Sequence, residues 1–190
     1  VREQALLKNN IYEEVNKNAK TLILEVTEDC NIRCTYCIYD EANSSERNHR
    51  EKLMSKDIAF KALDDFYKRT DGVEAYLVFY GGEPLINFRL IKELVEYANE
   101  ISNGGIKFSL TTNGVSLDEN KFQFFVENEF KLTVSLDGPE FIHDLNRKTK
   151  NGKGTFDIVE SNLRSFMEYD EKYYFSNIDL NCTITNHLDI

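Results

Sequence analysis

Strand-like and helix-like segments alternate along this chain, and that alternation restricts its fold more than any other feature. The strand candidates are Thr21–Thr27, Ala75–Tyr80, Ile106–Thr112, Leu132–Leu136 and Ile178–Ile184. Between them, Ser55–Thr70, Phe88–Ser102, Asp118–Glu127 and Phe156–Tyr169 repeat apolar residues at helical spacing. Ile58, Ala62, Leu63, Phe66 and Tyr67 form the stripe of the first helix; Ile91, Leu94, Val95, Ala98 and Ile101 form that of the second. Ser116 followed by Glu119 predicts a capping box at the start of the third. Five strands alternating with four helices predict right-handed βαβ units around a parallel sheet. Residues 1–20 read as a helical lead-in with Leu6, Leu7, Ile11 and Val15 as its apolar positions, and residues 21–190 as one domain.

Parallel strands covered on both faces are almost wholly apolar, yet the last three strands here alternate. Phe108, Leu110, Leu132, Val134, Leu136, Ile178, Leu180, Cys182 and Ile184 fall on one side. Ser109, Thr111, Thr133, Ser135, Asp137, Asp179, Asn181 and Thr183 fall on the other. The apolar side can pack under helices, which leaves small polar groups on the opposite face. A parallel sheet curled into a partial barrel with a hydrated concave face satisfies both demands. A closed eight-stranded barrel would instead fill its interior with branched apolar residues. The alternative is that the polar positions flank an edge or face another domain.

Cys30, Cys34 and Cys37 follow the first strand at C-x3-C-x2-C spacing. Three thiolates so spaced can grip three irons of a [4Fe–4S] cube and leave the fourth open, whereas electron-transfer clusters ordinarily have four cysteines. An open iron can take a substrate or cofactor, as open zinc positions do. A zinc site or incidental cysteines are the alternatives; zinc wants a fourth ligand, and His49 and His143 are not at finger-like spacing. Cys182 reads as a small core residue rather than a fourth ligand.

Gly81-Gly82-Glu83-Pro84 closes the second strand. Paired glycines permit close backbone approach to a ligand, and Glu83 can add a charged partner; a plain β-to-α turn uses the same residues. Thr111-Thr112-Asn113-Gly114 and Ser135-Leu136-Asp137-Gly138-Pro139 end the next two strands. Ligands of α/β folds sit at such carboxyl ends, although Asn-Gly and Asp-Gly are also ordinary turn pairs. His143, Asp144 and Arg147 share a short helical turn. Arg147 can clamp a carboxylate through its fork, or pair with a neighbour such as Asp144.

The formal net charge of −10 argues against nucleic-acid or anionic-lipid partners. No apolar run approaches the roughly 20 residues of a membrane helix, and Val1–Lys20 lacks a signal-peptide core. Four cysteines, three of them clustered, do not resemble a secreted disulfide framework, so a reducing, cytoplasmic setting is expected. Asp40–Arg50 reads as a polar loop suited to a lid, and Lys148–Thr155 as a turn-rich linker. The chain stops soon after its fifth strand, where a partial barrel needs more wall, so it reads as part of a longer protein.

These motifs in this order resemble the radical S-adenosylmethionine (SAM) enzymes across Thr21–Ile190. The resemblance implies a partial (β/α)6-type parallel barrel of the α/β class, truncated after the fifth strand. It implies that Cys30, Cys34 and Cys37 hold a [4Fe–4S] cluster whose open iron is chelated by SAM. Tyr36, Gly82 within Gly81-Gly82-Glu83, Ser135 and Arg147 match positions that contact SAM; Thr111 and Asn113 lie in a similar strand-end motif, and Asp137 belongs to the Ser-Leu-Asp-Gly-Pro run. Cys-Thr-Tyr-Cys-Ile-Tyr, Gly-Gly-Glu-Pro-Leu, Thr-Thr-Asn-Gly and Ser-Leu-Asp-Gly-Pro are similar to the peptide- and protein-modifying subgroup. Many of its members add a cysteine-rich SPASM extension binding auxiliary Fe–S clusters, and no such extension follows Cys182 here. The implied partners are a peptide or protein substrate and a flavodoxin- or ferredoxin-type electron donor. Hydrogen abstraction by a 5′-deoxyadenosyl radical is the implied chemistry, with thioether cross-linking favoured over formylglycine formation as in anaerobic sulfatase maturases. Small-molecule radical chemistry and a non-catalytic Fe–S or zinc module are the remaining alternatives.

Overall fold

The computed structural model describes residues 19–40, 48–70, 74–185 of the chain. Most of the expected lead-in helix and of the Asp40–Arg50 loop lies outside the described residues. The elements are β1 (Thr21–Thr27), β2 (Ile32–Cys34), α1 (Lys56–Tyr67), β3 (Ala75–Gly81), α2 (Phe88–Ser102), β4 (Ile106–Thr112) and α3 (Glu119–Glu127). They continue with β5 (Lys131–Ser135), α4 (Glu140–Asn146), β6 (Arg147–Thr149), α5 (Phe156–Tyr169), α6 (Glu171–Asn177) and β7 (Ile178–Asn181). Two of the four expected helix cores and two of the five expected strands keep their predicted bounds; the rest shift at their ends.

Five strands form one sheet in the order β1-β3-β4-β5-β7, every neighbouring pair parallel. Each strand lies beside its predecessor with no reversal of order, so the sheet advances in one direction as a barrel wall does. A doubly wound sheet would instead reverse at a switch point. The register puts Leu24 beside Phe79, Phe79 beside Leu110, Leu110 beside Leu132, and Val134 beside Leu180. On this face Leu77, Phe79, Leu110, Leu132 and Val134 are buried against helical residues such as Leu63, Ile91, Leu94, Phe125, Val159 and Phe166. Removing each large side chain from water contributes about 1.5–3 kcal/mol, and stacked phenylalanines such as Phe122 and Phe166, with centroids 4.2 Å apart, fill the layer. The helices thus cover the apolar face, and the polar alternation of β4 and β5 faces the other way, as expected.

The edge departs from that pattern. β7 ends at Asn181, where Asn181 O accepts from Leu136 N at 2.9 Å. Leu180 is 54% exposed, Ile184 is exposed, and Cys182 is exposed rather than a core residue. Ile178 is partly buried against the core, whereas the rest of the last apolar stripe is exposed.

Short elements tie the sheet together. β2 and β6 form an antiparallel ribbon in which Ile32, Arg33 and Cys34 face Thr149, Lys148 and Arg147. The expected linker after Arg147 is therefore partly strand. Asp144, an alternative partner for Arg147, instead caps α5, its Oδ1 accepting from Thr155 N and Phe156 N at 2.7 and 2.9 Å. Gly154 leaves room for this cap, since a Cβ would stand 1.9 Å from the Asp144 carboxylate as it is placed. α3 is capped by Asp118, which accepts from Lys121 N, and not by the expected Ser116 box. Ser116 accepts instead from Asn31 Nδ2 at 3.0 Å.

Candidate active site

A cavity of about 250 Å³ opens at the carboxyl ends of the strands. Cys30, Cys34 and Cys37 line one wall; Gly81, Gly82, Thr111, Asn113, Ser135 and Arg147 line the others, and Tyr36 also borders it. The structure thereby brings together ten of the twelve residues singled out from the sequence. Glu83 and Asp137 do not line it.

The cysteines are set by the loop leaving β1 and by β2. Cys30 N donates to Asp29 Oδ1 at 2.8 Å, and Asp29 N to Thr27 Oγ1 at 3.0 Å. Cys34 ends β2, Cys37 N donates to Cys34 O at 3.1 Å, and Tyr39 N donates to Cys37 Sγ at 3.4 Å. Burial pushes the Cys30 thiol up to about 11 and the Cys34 thiol up to about 12; Arg147 opposes the rise at Cys34, and the neighbouring thiols add to it. A bound cation reverses this balance, because a coordinating thiol is deprotonated outright. Among the described residues, no three His, Cys, Asp or Glu side chains converge as a single ion would require. Three sulfurs each serving a different iron of a cube need no such convergence.

The two glycines are required by the chain itself. Gly81 has φ +137, and a Cβ on it would lie 2.3 Å from Thr27 O; one on Gly82 would lie 2.2 Å from Asp29 O. Gly82 N donates to Thr27 O at 2.9 Å and Glu83 N to Asp29 O at 2.8 Å. The end of β3 is thus laid directly against the segment leading into Cys30. Expected from the sequence was approach to a ligand; the backbone met is that of the cysteine loop, while both glycines still border the cavity.

The Glu83 carboxylate is fully buried and turned into the fold. It accepts from Leu85 N (3.1 Å), Thr112 Oγ1 (2.8 Å) and Asn113 N (2.8 Å). Burial raises its pKa, and these donors oppose the rise. A charged partner for a ligand is therefore not its place; it pins the strand-end motif of β4. Asn113, so pinned, sends Nδ2 to Asn31 Oδ1 at 2.8 Å and to Cys30 Sγ at 3.6 Å. Asn31 carried no motif signal except its seat beside Cys30.

Asp137 is likewise interior. Its Oδ2 accepts from the Tyr36 hydroxyl and from Arg147 Nε at 3.0 Å, and its Oδ1 accepts from Thr183 N at 3.0 Å. The Arg147 guanidinium lies 5.7 Å from the Tyr36 ring centroid. Asp137 N donates to His143 Nδ1 at 3.3 Å; His143 Nε2 meets Thr155 Oγ1 at 3.0 Å, and that hydroxyl donates to Arg147 O at 3.1 Å. These bonds require a neutral imidazole with its proton on Nε2. Asp137 and His143 thus hold Arg147 by its side chain and its carbonyl. The sequence reading missed His143 in this role; its spacing from Arg147 was the one signal available.

Three thiols lining one wall of a cavity at the carboxyl ends of a parallel sheet suit a cofactor-dependent enzyme. Residues 24–182 match the Radical SAM superfamily, and the chain belongs to it. The cysteine-type anaerobic sulfatase-maturating enzyme of Clostridium novyi (strain NT) is 30% identical over 179 residues, covering 91% of this chain and 46% of the relative. A serine-type anaerobic sulfatase-maturating enzyme of Bacteroides thetaiotaomicron is 29% identical over 152 residues, covering 79% of this chain and 37% of the relative. The solved structure "Native anSMEcpe with bound AdoMet" superposes with a TM-score of 0.72 at 30% identity, covering 86% of this chain and 44% of that one. The chain thus spans less than half the length of these relatives. Its cofactors are those of the family, a [4Fe–4S] cluster and SAM.

Proposed function

We propose that this chain is the cofactor-binding core of a peptide or protein maturase, in which Cys30, Cys34 and Cys37 hold the cluster. The observation carrying this reading is one cavity bordered both by the three cysteines and by Gly81, Gly82, Ser135 and Arg147. When bound, the two cofactors supply reductive cleavage of SAM to methionine and a 5′-deoxyadenosyl radical that abstracts a substrate hydrogen. The protein's part is to position and shield. Arg147 would take the SAM carboxylate: its Nε is held by Asp137, and its terminal nitrogens make no hydrogen bond among the described residues. Ser135, Thr111 and Asn113 offer short polar contacts, Tyr36 an aromatic edge, and the strand end at Gly81 and Gly82 its backbone. The low exposure of Arg147 and Asp137 strengthens their electrostatic hold. No helix among the described residues is long and apolar enough to cross a membrane, and a reducing interior suits the open thiols.

On the substrate side, thioether cross-linking needs a peptide cysteine sulfur to meet a carbon radical. A second reading, formylglycine formation at a target Cys or Ser, is favoured by the names of the relatives at 30% and 29% identity. Anaerobic reconstitution of the full-length protein tests the core claim: about four irons per chain, with a spectrum that SAM alters, is expected. Mass spectrometry of Cys-containing peptides then separates the products. A thioether loses two hydrogens and keeps its sulfur, whereas a formylglycine made from Cys loses its sulfur to an aldehyde oxygen.

A further inference from the structure

The β2–β6 ribbon has an inner and an outer face. Cys34 and Arg147 are Cα partners and border the cavity; Arg33 and Lys148 are partners one position along. Because successive side chains alternate, Arg33 and Lys148 fall on the opposite, outward face. Arg33 folds over the backbone there, its Nη1 donating to Cys30 O at 2.7 Å and Ile32 O at 2.8 Å. One strand layer thus separates these cations from two of the three cysteines. Beyond β6, Lys150 and Lys153 are exposed. Lys150 pairs with Asp29 at 3.2 Å, and no carboxylate among the described residues pairs with Arg33, Lys148 or Lys153.

The segment from Arg147 to Lys153 holds four cations and no acid, in a chain with 33 acidic and 23 basic residues. Arg33 and Lys150 both act on His49, whose pKa is lowered by burial and then by these cations, against Asp40 and Asp29. Cations are thus concentrated on the outer side of this ribbon, with Asp29 and Asp40 at its edge, in a chain that is acidic as a whole. A cation-rich face on an acidic chain favours and orients an acidic macromolecule there.

We propose that the outer face of the ribbon, formed by Arg33, Lys148, Lys150 and Lys153, docks an acidic one-electron carrier protein that reduces the cluster. The proposal rests on the radical SAM reading above. In the step itself the carrier is oxidised by one electron and the cluster is reduced by one, with no bond formed or broken and no proton moved. The ribbon offers the thin route inward, and Arg33 and Lys148 set the carrier's acidic face against it.

The test uses the full-length protein, anaerobically loaded, and its Lys148→Glu/Lys153→Glu variant. Stopped-flow measurement follows electron transfer from a reduced flavodoxin. At low ionic strength the variant is expected to lose about tenfold or more in second-order rate, and the wild-type rate to fall with added salt towards it. Iron content and dithionite-driven deoxyadenosine formation, which need no docking, stay unchanged. Equal flavodoxin rates in iron-matched samples overturn the proposal. So does an unchanged rate accompanied by weaker peptide binding, which would assign the patch to substrate. If charge reversal disturbs folding, the Lys148→Gln/Lys153→Gln pair is used, and a rate equal to wild type overturns the idea equally. Failure of the wild-type protein to form deoxyadenosine with dithionite instead defeats the underlying radical SAM reading.

Discussion

Arg147 Nε donates to Asp137 Oδ2 at 3.0 Å in a pair almost wholly withdrawn from solvent, and the Tyr36 hydroxyl shares that same oxygen. Arg147→Ala leaves the carboxylate buried without its cation, a loss of about 3–5 kcal/mol. Lowered thermal stability and weaker SAM binding are expected, with iron content retained. Isothermal titration and iron analysis check it; unchanged SAM affinity removes the proposed carboxylate contact.

Cys34→Ala is expected to abolish cluster assembly and deoxyadenosine formation together. Iron quantification and product chromatography on the same preparation decide this, and SAM cleavage that persists without Cys34 rejects its assignment as a ligand.

Asn113 reaches Cys30 Sγ at 3.6 Å. A hydrogen bond to a cluster sulfur stabilises the more negative, reduced state, so its loss lowers the reduction potential. Asn113→Ala is expected to load iron normally and to require a stronger reductant, read by potentiometric electron paramagnetic resonance. An unmoved potential removes the role.

Gly82→Ala places a Cβ 2.2 Å from Asp29 O, a backbone atom that cannot swing aside. Destabilisation of more than about 2 kcal/mol is expected, together with poor cluster loading. Thermal melting and iron content report the two effects, and near-normal values for both contradict the close approach described.

His143 is fully buried, and burial followed by the Arg147 charge lowers its pKa from the ordinary 6.5. Between that value and the lower folded one, the unfolded chain binds more protons, so stability is complete above about 6.5 and declines as pH falls below it. His143→Asn keeps an acceptor for Asp137 N but loses the bond to Thr155, which costs about 1–3 kcal/mol near pH 7.5. Its stability deficit is expected to narrow as the solution is acidified, measured by denaturant titration at several pH values. A deficit independent of pH contradicts a neutral imidazole.

Long periodic elements were readable from composition and spacing. Phe88–Ser102, Ile106–Thr112 and Phe156–Tyr169 stand at their expected bounds, because amphipathic stripes of that length dominate local conformation. The alternation in β4 and β5 correctly foretold an apolar face under helices and a polar face beside the cavity. What escaped were elements too short to show a period. The three-residue β2 and β6 pair residues far apart in sequence, and the seven-residue α4 and α6 carry barely two turns. Ionisable side chains were the other difficulty. Glu83 and Asp137 sit in ligand-like motifs, yet tertiary packing turned both inward, where backbone N–H groups claim their oxygens. Cys182 had a core pattern, but it lies just past the end of β7 and is exposed.

Cys34 and Arg147 stand opposite each other across one narrow ribbon, so iron uptake and sulfonium capture draw on the same two short strands. A change in the seating of either residue is therefore expected to be felt by the other.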